Sequence, residues 1–289
     1  MPAPDTSRIS PTAHYTSYVW YRNGLSHPAL ATASGRALYG AGRLVDRLSA
    51  KVGGPTVEAM LLSRHHLIDR VLERAIESGT IQQIVEVAAG MSYRGVRFTR
   101  RFPELRFVEG DLPAMSERKR RCLSRAGLAS PRHHVVALNA LADVGEDAFS
   151  RVADELLDPE LGTAVVTEGL IPYFSPEVVA AMWGRFARVL RRYPAGLYVT
   201  DLYLEETIGR VPGARAALLA ISAVARGSVH LHFESAADAE REALAAGFQR
   251  CAIRDRSELS DVRIGRGAGL TRILEAWTPG GAPGSDRLP

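Results

Sequence analysis

The chain has only two cysteines, Cys122 and Cys251, among 289 residues. They are far apart and show no CxxC or Cys/His spacing, which excludes a disulfide framework and gives no zinc signature. A reducing compartment, the cytoplasm, is therefore expected. Residues 1–12 are polar and rich in proline and serine, without the basic stretch and apolar run of a secretory signal. No segment approaches the length of a transmembrane span, and no internal repeat is present. Lysine is scarce beside arginine, and 36 basic residues against 32 acidic ones leave a net charge of +4. Such an excess would suit a polyanion if it were clustered. The one dense run, Arg118-Lys119-Arg120-Arg121, has no interleaved aromatics and reads as a solvated face near the start of a helix. Neither nucleic acid nor a membrane is an expected partner.

The hydrophobic share of 46% and charged share of 24% are those of a globular chain. Residues 15–78 show helical spacing, in Leu38, Tyr39, Leu44 and Leu48 and again in Met60, Leu61, Leu67, Ile68, Val71 and Leu72. Gly53-Gly54-Pro55 separates two helices, and Gly79 closes the second. This part, 1–78, is expected to form an N-terminal helical cap. The β-branched run 81–89 then ends at Gly90 and is followed by a helix, and further short strands are expected at 105–109, 134–138, 163–167 and 196–201. This alternation predicts a parallel sheet. A long connection over 204–246 carries helices at 213–225 and 236–246, strands at 250–254 and 269–277 follow, and 278–289 reads as a flexible tail. The fold class is α/β, with a main domain over 79–277.

In a doubly wound sheet the ligand lies at the carboxyl ends of the strands, near the switch in strand order. The first strand ends in Glu86-Val87-Ala88-Ala89-Gly90, where small residues let a cofactor approach the backbone and the next helix offers its amides. A dinucleotide fingerprint would need three glycines where this chain has Ala88, Gly90 and Tyr93, which disfavours a nucleotide phosphate. Glu109 and Asp111 follow Gly90 by nineteen and twenty-one residues. A carboxylate closing the second strand can accept both ribose hydroxyl protons.

With these residues in place, the chain resembles the leucine carboxyl methyltransferase family, which also includes O-methyltransferases of bacterial polyketide pathways. The resemblance covers about 64–174. Ala88-Ala89-Gly90-Met91-Ser92-Tyr93-Arg94-Gly95-Val96-Arg97-Phe98 is similar to the family's Gly-Ala-Gly-Leu/Met-Asp-Thr-Arg-x-Tyr-Arg-Leu, and Glu109-Gly110-Asp111-Leu112-Pro113 to its Glu-Val-Asp-x-Pro. Arg64 matches the arginine that holds the methionine carboxylate, and Glu168-Gly169-Leu170-Ile171-Pro172-Tyr173 matches the motif after the fourth strand. The chain departs from the pattern at Ala88, at Ser92 in place of aspartate, and at Asn139-Ala140 in place of the Asp-Leu that contacts adenine. The resemblance implies a Rossmann-like class I methyltransferase with a mostly parallel seven-stranded sheet and S-adenosyl-L-methionine as cofactor. It implies a cofactor site built from Arg64, Glu86, Ala88, Gly90, Asp111, Leu112, Asn139, Ala140, Glu168 and Gly169. No metal is expected, and His65 and His66 read as packing and solvent residues.

A sulfonium is already a strong electrophile, so the protein has chiefly to place a nucleophile in line with the methyl–sulfur bond and exclude water. A carboxylate acceptor needs no base, whereas a phenol, with a pKa near ~10, benefits from one. The substrate-side candidates are His14, Tyr15, Tyr18, Tyr21, Arg22, Tyr173, Tyr203, His230 and His232, with Tyr21, Tyr173 and His232 taken as catalytic. The aromatic segment 14–22 reads either as a lid over a flat or apolar substrate or as an anchor of the cap to the sheet. The expected activity is O-methylation of a carboxyl or hydroxyl group of a small secondary metabolite. A non-catalytic S-adenosylmethionine-binding protein, a protein carboxyl methyltransferase and a dinucleotide-dependent oxidoreductase are the competing readings. A homodimer is left open.

Overall fold

The structure, a computed structural model, describes residues 10–225 and 230–279. Seven strands form one sheet in the order β3-β2-β1-β4-β5-β7-β6. They are β1 (Gln83–Val87), β2 (Arg106–Asp111), β3 (His133–Ala137), β4 (Thr163–Thr167), β5 (Gly196–Leu202), β6 (Arg250–Arg254) and β7 (Arg272–Trp277). The first five run parallel, and β7 is antiparallel to both β5 and β6. Strands β1, β4 and β5 are buried along their whole length, as central parallel strands covered by helices on both faces must be. All seven expected strands are present, two of them (163–167 and 250–254) with the expected ends.

Ten α-helices are described: α1 (Ser10–Arg22), α2 (Ala33–Lys51), α3 (Val57–Glu77), α4 (Arg94–Arg101), α5 (Pro113–Arg125), α6 (Phe149–Leu156), α7 (Pro176–Leu190), α8 (Glu205–Arg210), α9 (Ala214–Ala225) and α10 (Ala236–Ala245). On one face of the sheet Phe149, Trp183 and Phe186 pack with Tyr198, Phe233 and Phe248. On the other, Leu67, Ile68 and Leu72 of α3 and Phe98 of α4 meet Ile84, Phe107 and Val166. Each such side chain contributes roughly 1.5–3 kcal/mol when fully buried. Helix α3 starts where the Thr56 hydroxyl accepts from Ala59 N, and its end is closed by Gly79 at φ +74°, whose amide donates to the Ile76 carbonyl.

Several expectations need correction. The N-terminal part has three helices, not two, because the chain also breaks at a short turn over Pro28–Leu30. Leu44 and Leu48 share helical spacing with Leu38 and Tyr39 but are exposed, since only the latter pair reaches the core beneath α2. Lys119 does not belong to a solvated face: it is buried and bonded to Glu109 at 2.6 Å. Strand β7 begins at Arg272, after a short turn over Ala268–Leu270, and Thr278, expected in a flexible tail, is buried with its amide on the Gly196 carbonyl. The rest of that tail, 280–289, and the polar start, 1–9, lie outside the described residues.

Candidate functional site

The switch in strand order lies between β1 and β4, so the chain leaves these two strands in opposite directions and opens a cleft at their carboxyl ends. The turn after β1 carries two residues in the left-handed region, Ala88 at φ +55° and Gly90 at φ +49°. Glycine adopts this conformation without cost, whereas alanine places its Cβ against the backbone. The Gly90 amide donates to Asp111 Oδ2 at 2.7 Å, and the Leu112 amide to Oδ1 at 2.7 Å. Asp111 thus ties the end of β2 to the turn after β1, and each oxygen keeps a lone pair for another donor. Burial raises its carboxyl above the usual range, against the pull of these two amides. Helix α1 lies across the turn: a Cβ on Gly90 would come within 3.1 Å of the Ala13 methyl.

Beside the turn, a buried network joins five elements. Arg94 of α4, fully buried, bonds Asp69 of α3 at 2.6 Å, Glu168 after β4 at 2.6 Å, and Glu86 of β1. Arg64 of α3 bonds Glu168 at 2.9 Å and reaches Asp201 of β5 at 3.5 Å. Arg97 bonds Asp69 at 2.5 Å, and His65 Nδ1 lies 3.0 Å from Glu168. Burial and the nearby Arg94 charge push His65 down to about 4, so its ring is neutral at pH 7. Three arginines then face four carboxyl groups, and the surplus acid is only partly ionised at pH 7, because burial raises Glu86 to about 7 and also raises Asp201. Burial pushes the Glu86 carboxyl up, Arg94 opposes this, and Glu109 and Glu168 reinforce it. Arg64, Glu86, Ala88, Gly90, Asp111, Glu168 and Gly169 are therefore brought to one end of the sheet. Glu86 and Glu168 turn inward to the arginines, with side chains only 2% and 3% exposed. Gly169, at φ +69°, must be small, because a Cβ there would meet the Arg64 guanidinium at 2.8 Å.

Arg94, Asp69, Asp201 and Trp20 join this place without being singled out by any sequence pattern above. Arg94 stood inside the quoted motif, and an arginine so soon after a glutamate within an apolar strand was the available signal. Trp20 of α1 packs against His65 with ring centroids 4.6 Å apart and planes tilted by 39°, and its indole Nε1 is buried without a hydrogen-bond partner among the described residues. Ser92, where the family has aspartate, donates to Glu86 at 3.2 Å and accepts from the Arg94 amide at 3.2 Å. A serine here leaves Glu86 as the acid of this turn.

The other candidates are spread more widely. Asn139 is engaged with its own loop, its Oδ1 accepting from the Leu141 amide at 3.0 Å, and Ala140 packs on the core. Leu112 is half-buried at the start of α5. Tyr173 faces Arg64, Asp201 and Thr12 of α1, and burial raises its phenol. Tyr203 is buried beside Arg64 and Asp201 and is pushed up to about 12. His232 donates from Nε2 to the Phe174 carbonyl at 2.7 Å and lines a cavity of about 380 Å³ with Trp183, Phe233 and Asp238; none of the cavity's lining residues belongs to the arginine network. Tyr21 contacts Tyr18, and Tyr18 contacts Tyr39, in an aromatic group on the far side of α1 from Trp20. Tyr15 is buried in the core between α1 and α3, His14 is buried with Arg118 nearby, Arg22 is exposed, and His230 donates its amide to the Pro172 carbonyl.

Glu109, the other acid of β2, belongs to a separate network. It bonds Lys119 at 2.6 Å and His133 at 3.1 Å, and accepts from the Gly95 amide at 3.1 Å. These charges hold its carboxyl well below the usual range despite burial. Asp111 is therefore the carboxylate of β2 without an ion-pair partner among the described residues.

A sheet of this order, with an antiparallel seventh strand and a glycine turn after β1, has the fold of the class I methyltransferases. The solved structure of a protein from Thermobifida fusca, described provisionally as a methyltransferase, superposes with a TM-score of 0.65 over 96% of this chain and 98% of that one, at 15% identity. Magnesium protoporphyrin IX methyltransferase of Synechocystis, solved with S-adenosylhomocysteine, gives a TM-score of 0.50 over 76% of this chain and 86% of that one, at 12% identity. The chain belongs to the leucine carboxyl methyltransferase family, whose pattern matches residues 29–187. Among relatives, a protein of Saccharopolyspora erythraea named provisionally as an S-adenosyl-L-methionine-dependent methyltransferase is 36% identical over 119 residues, 40% of this chain and 39% of its own length. The chain thus spans about two-fifths of the length of the first curated relatives it matches.

Proposed function

We propose that the chain is an S-adenosyl-L-methionine-dependent methyltransferase acting on a carboxyl or hydroxyl oxygen of a small molecule, of polyketide or other secondary-metabolite type, in the cytoplasm. The observation that carries this reading is the joining of Gly90, Asp111, Arg64 and the acidic surplus at the carboxyl ends of β1, β2 and β4. The donor set fits the cofactor. Asp111 has lone pairs for two ribose hydroxyls, and Arg64 suits a carboxylate. The acidic surplus suits a ligand whose sulfonium and ammonium outweigh its one carboxylate. Trp20 Nε1 is an orphaned buried donor at the same place.

When bound, the cofactor supplies an electrophilic methyl group. The protein's part is to hold and to exclude. Asp111 and the Gly90 turn position the adenosyl end, and the Arg94 network keeps Arg64 and Glu168 in place. Helix α1 closes the turn against water through Ala13 and Trp20. This closure favours a small acceptor over a protein terminus, which would need an open groove. Tyr173, with Arg64 beside it, is our candidate for holding the acceptor oxygen.

Isothermal titration with S-adenosylmethionine, S-adenosylhomocysteine and NADH tests the reading. Micromolar binding of the first two is expected, followed by methyl transfer to carboxylate or phenol acceptors. Binding of NADH alone would overturn it, and binding without turnover across both acceptor classes would favour a non-catalytic protein.

A further inference from the structure

Helix α2 is anchored by its inner side. Gly42 lies against the Tyr15 ring, Asp46 accepts from the Val57 and Glu58 amides at 2.8 and 3.0 Å, and the Ser49 hydroxyl donates to the Pro55 carbonyl at 2.7 Å. The other side is bare among the described residues. Leu44, Val45, Leu48 and Val52 are 61%, 54%, 57% and 85% exposed. At helical spacing they share one arc about 100° wide. Arg43, Arg47 and Lys51, all exposed, border that arc, and none has an ion-pair partner within 4 Å among the described residues. The helix's one acid, Asp46, is buried. Elsewhere the exposed large apolar residues, Val144, Val211, Leu219 and Leu244, come singly from separate segments.

We propose that this face seats α2 on an anionic lipid surface. The helix axis would lie in the plane of the interface, with the leucines and valines at the headgroup boundary and the basic side chains on lipid phosphates. An apolar arc beside unpaired cations is the pattern of an interfacial helix, and the charge selects an anionic occupant. An antiparallel second copy fits poorly, because a two-fold axis perpendicular to α2 would set Arg43, Arg47 and Lys51 against their own counterparts. No described helix is long and apolar enough to cross a membrane, so the contact is peripheral. The proposal goes beyond the expectation of no membrane partner, which rested on the absence of a crossing segment. It is independent of the reaction catalysed.

Flotation of the full chain with vesicles of phosphatidylcholine, alone or mixed with phosphatidylglycerol, tests the proposal at about 0.1 and 0.5 M salt. At least tenfold more protein is expected with the anionic vesicles, falling at the higher salt. Leu44→Gln with Leu48→Gln, and separately Arg43→Glu with Arg47→Glu, should each lower recovery about tenfold or more. Circular dichroism and cofactor affinity should not change, because these side chains touch neither core nor site. Equal recovery with neutral vesicles, or recovery insensitive to both variants, would overturn the proposal. So would a dimer in light scattering that Leu44→Gln with Leu48→Gln converts to monomer, since the face would then belong to a second copy.

Discussion

Two ion networks are buried among the described residues, one on either side of α4, and they differ in reach. Glu109, Lys119 and His133 join β2, α5 and β3, adjacent elements on one flank of the sheet. Arg94 and its partners join α3, β1, α4, β4 and β5 across the switch in strand order. The first sets one carboxylate against one ammonium, with an imidazole and an amide beside it, and Glu109 Oε2, Lys119 Nζ and His133 Nε2 meet there by charge and proximity, without hydrogen-bond geometry. The second has more carboxylates than cations and lies under the turn that we assign to the cofactor. Burying charge is costly unless partners repay it, so an unbalanced network marks a place where something else is required.

The largest expected effect is that of Arg94→Met, which strands Asp69, Glu86 and Glu168 together. It should cost about 3–5 kcal/mol in chemical unfolding and weaken S-adenosylmethionine binding in whatever protein folds.

Next comes the pH dependence of the same network. A histidine whose folded pKa, about 4, lies below its unfolded value holds fewer protons when folded. Its contribution is therefore absent below pH 4, grows as the pH rises, and is complete above about 6.5, amounting to up to about 3 kcal/mol. Glu86, raised to about 7, opposes this with a loss of similar size as the pH climbs from about 4.5 to 7, and Asp69 and Glu168, shifted down, lose their contribution only as the pH falls below the ordinary carboxylate range. Urea unfolding at a series of pH values from 4 to 7 should therefore be nearly flat for the parent chain, and His65→Gln, which removes the rising half, should turn it into a fall in stability as the pH rises.

Lys119→Met comes third, costing roughly 2–3 kcal/mol, because His133 and the Gly95 amide still face Glu109. Cofactor affinity of the folded variant should stay within about twofold. A loss of affinity equal to that of Arg94→Met would break the distinction between the networks.

Asp111→Asn, whose NH2 replaces one of the two oxygens that accept from the Gly90 and Leu112 amides, should cost about 1–2 kcal/mol of stability and raise the dissociation constant for S-adenosylmethionine about 10–100-fold by titration. Smallest is Ala88→Gly, which relieves a left-handed alanine and should stabilise by about 1 kcal/mol, read as a higher melting temperature.

The strands were legible because a central parallel strand is buried on both faces and must be an apolar, β-branched run, as in Val85-Glu86-Val87 and Ala164-Val165-Val166. Gly90 and Asp111 were legible for a related reason: the turn demands a positive φ, and a carboxylate at a strand end has few other uses. Direction and depth were not legible. Glu109 and Asp111 stand two residues apart on one strand, yet one is sealed beneath Lys119 and the other stays at the rim. Lys119 sits among exposed arginines in the sequence and reaches inward only because α5 turns that one position toward β2. Leu44 and Leu48 have the spacing of core residues, and only the placement of α1 and α3 beneath α2 shows that they face out. Tyr21, His232 and Tyr173 were chosen as polar aromatics near the expected site, and the fold sends them to three different surroundings.

By itself, then, the sequence determined the order of strands and helices, the glycine turn after β1 and the family, because these rest on local periodicity, turn conformation and short motifs. Tertiary structure alone decided which charges pair, which carboxylate stays open at the rim, and which face of α2 is left uncovered. These depend on distances between residues up to 137 positions apart, as between Arg64 and Asp201, and no local pattern encodes such distances.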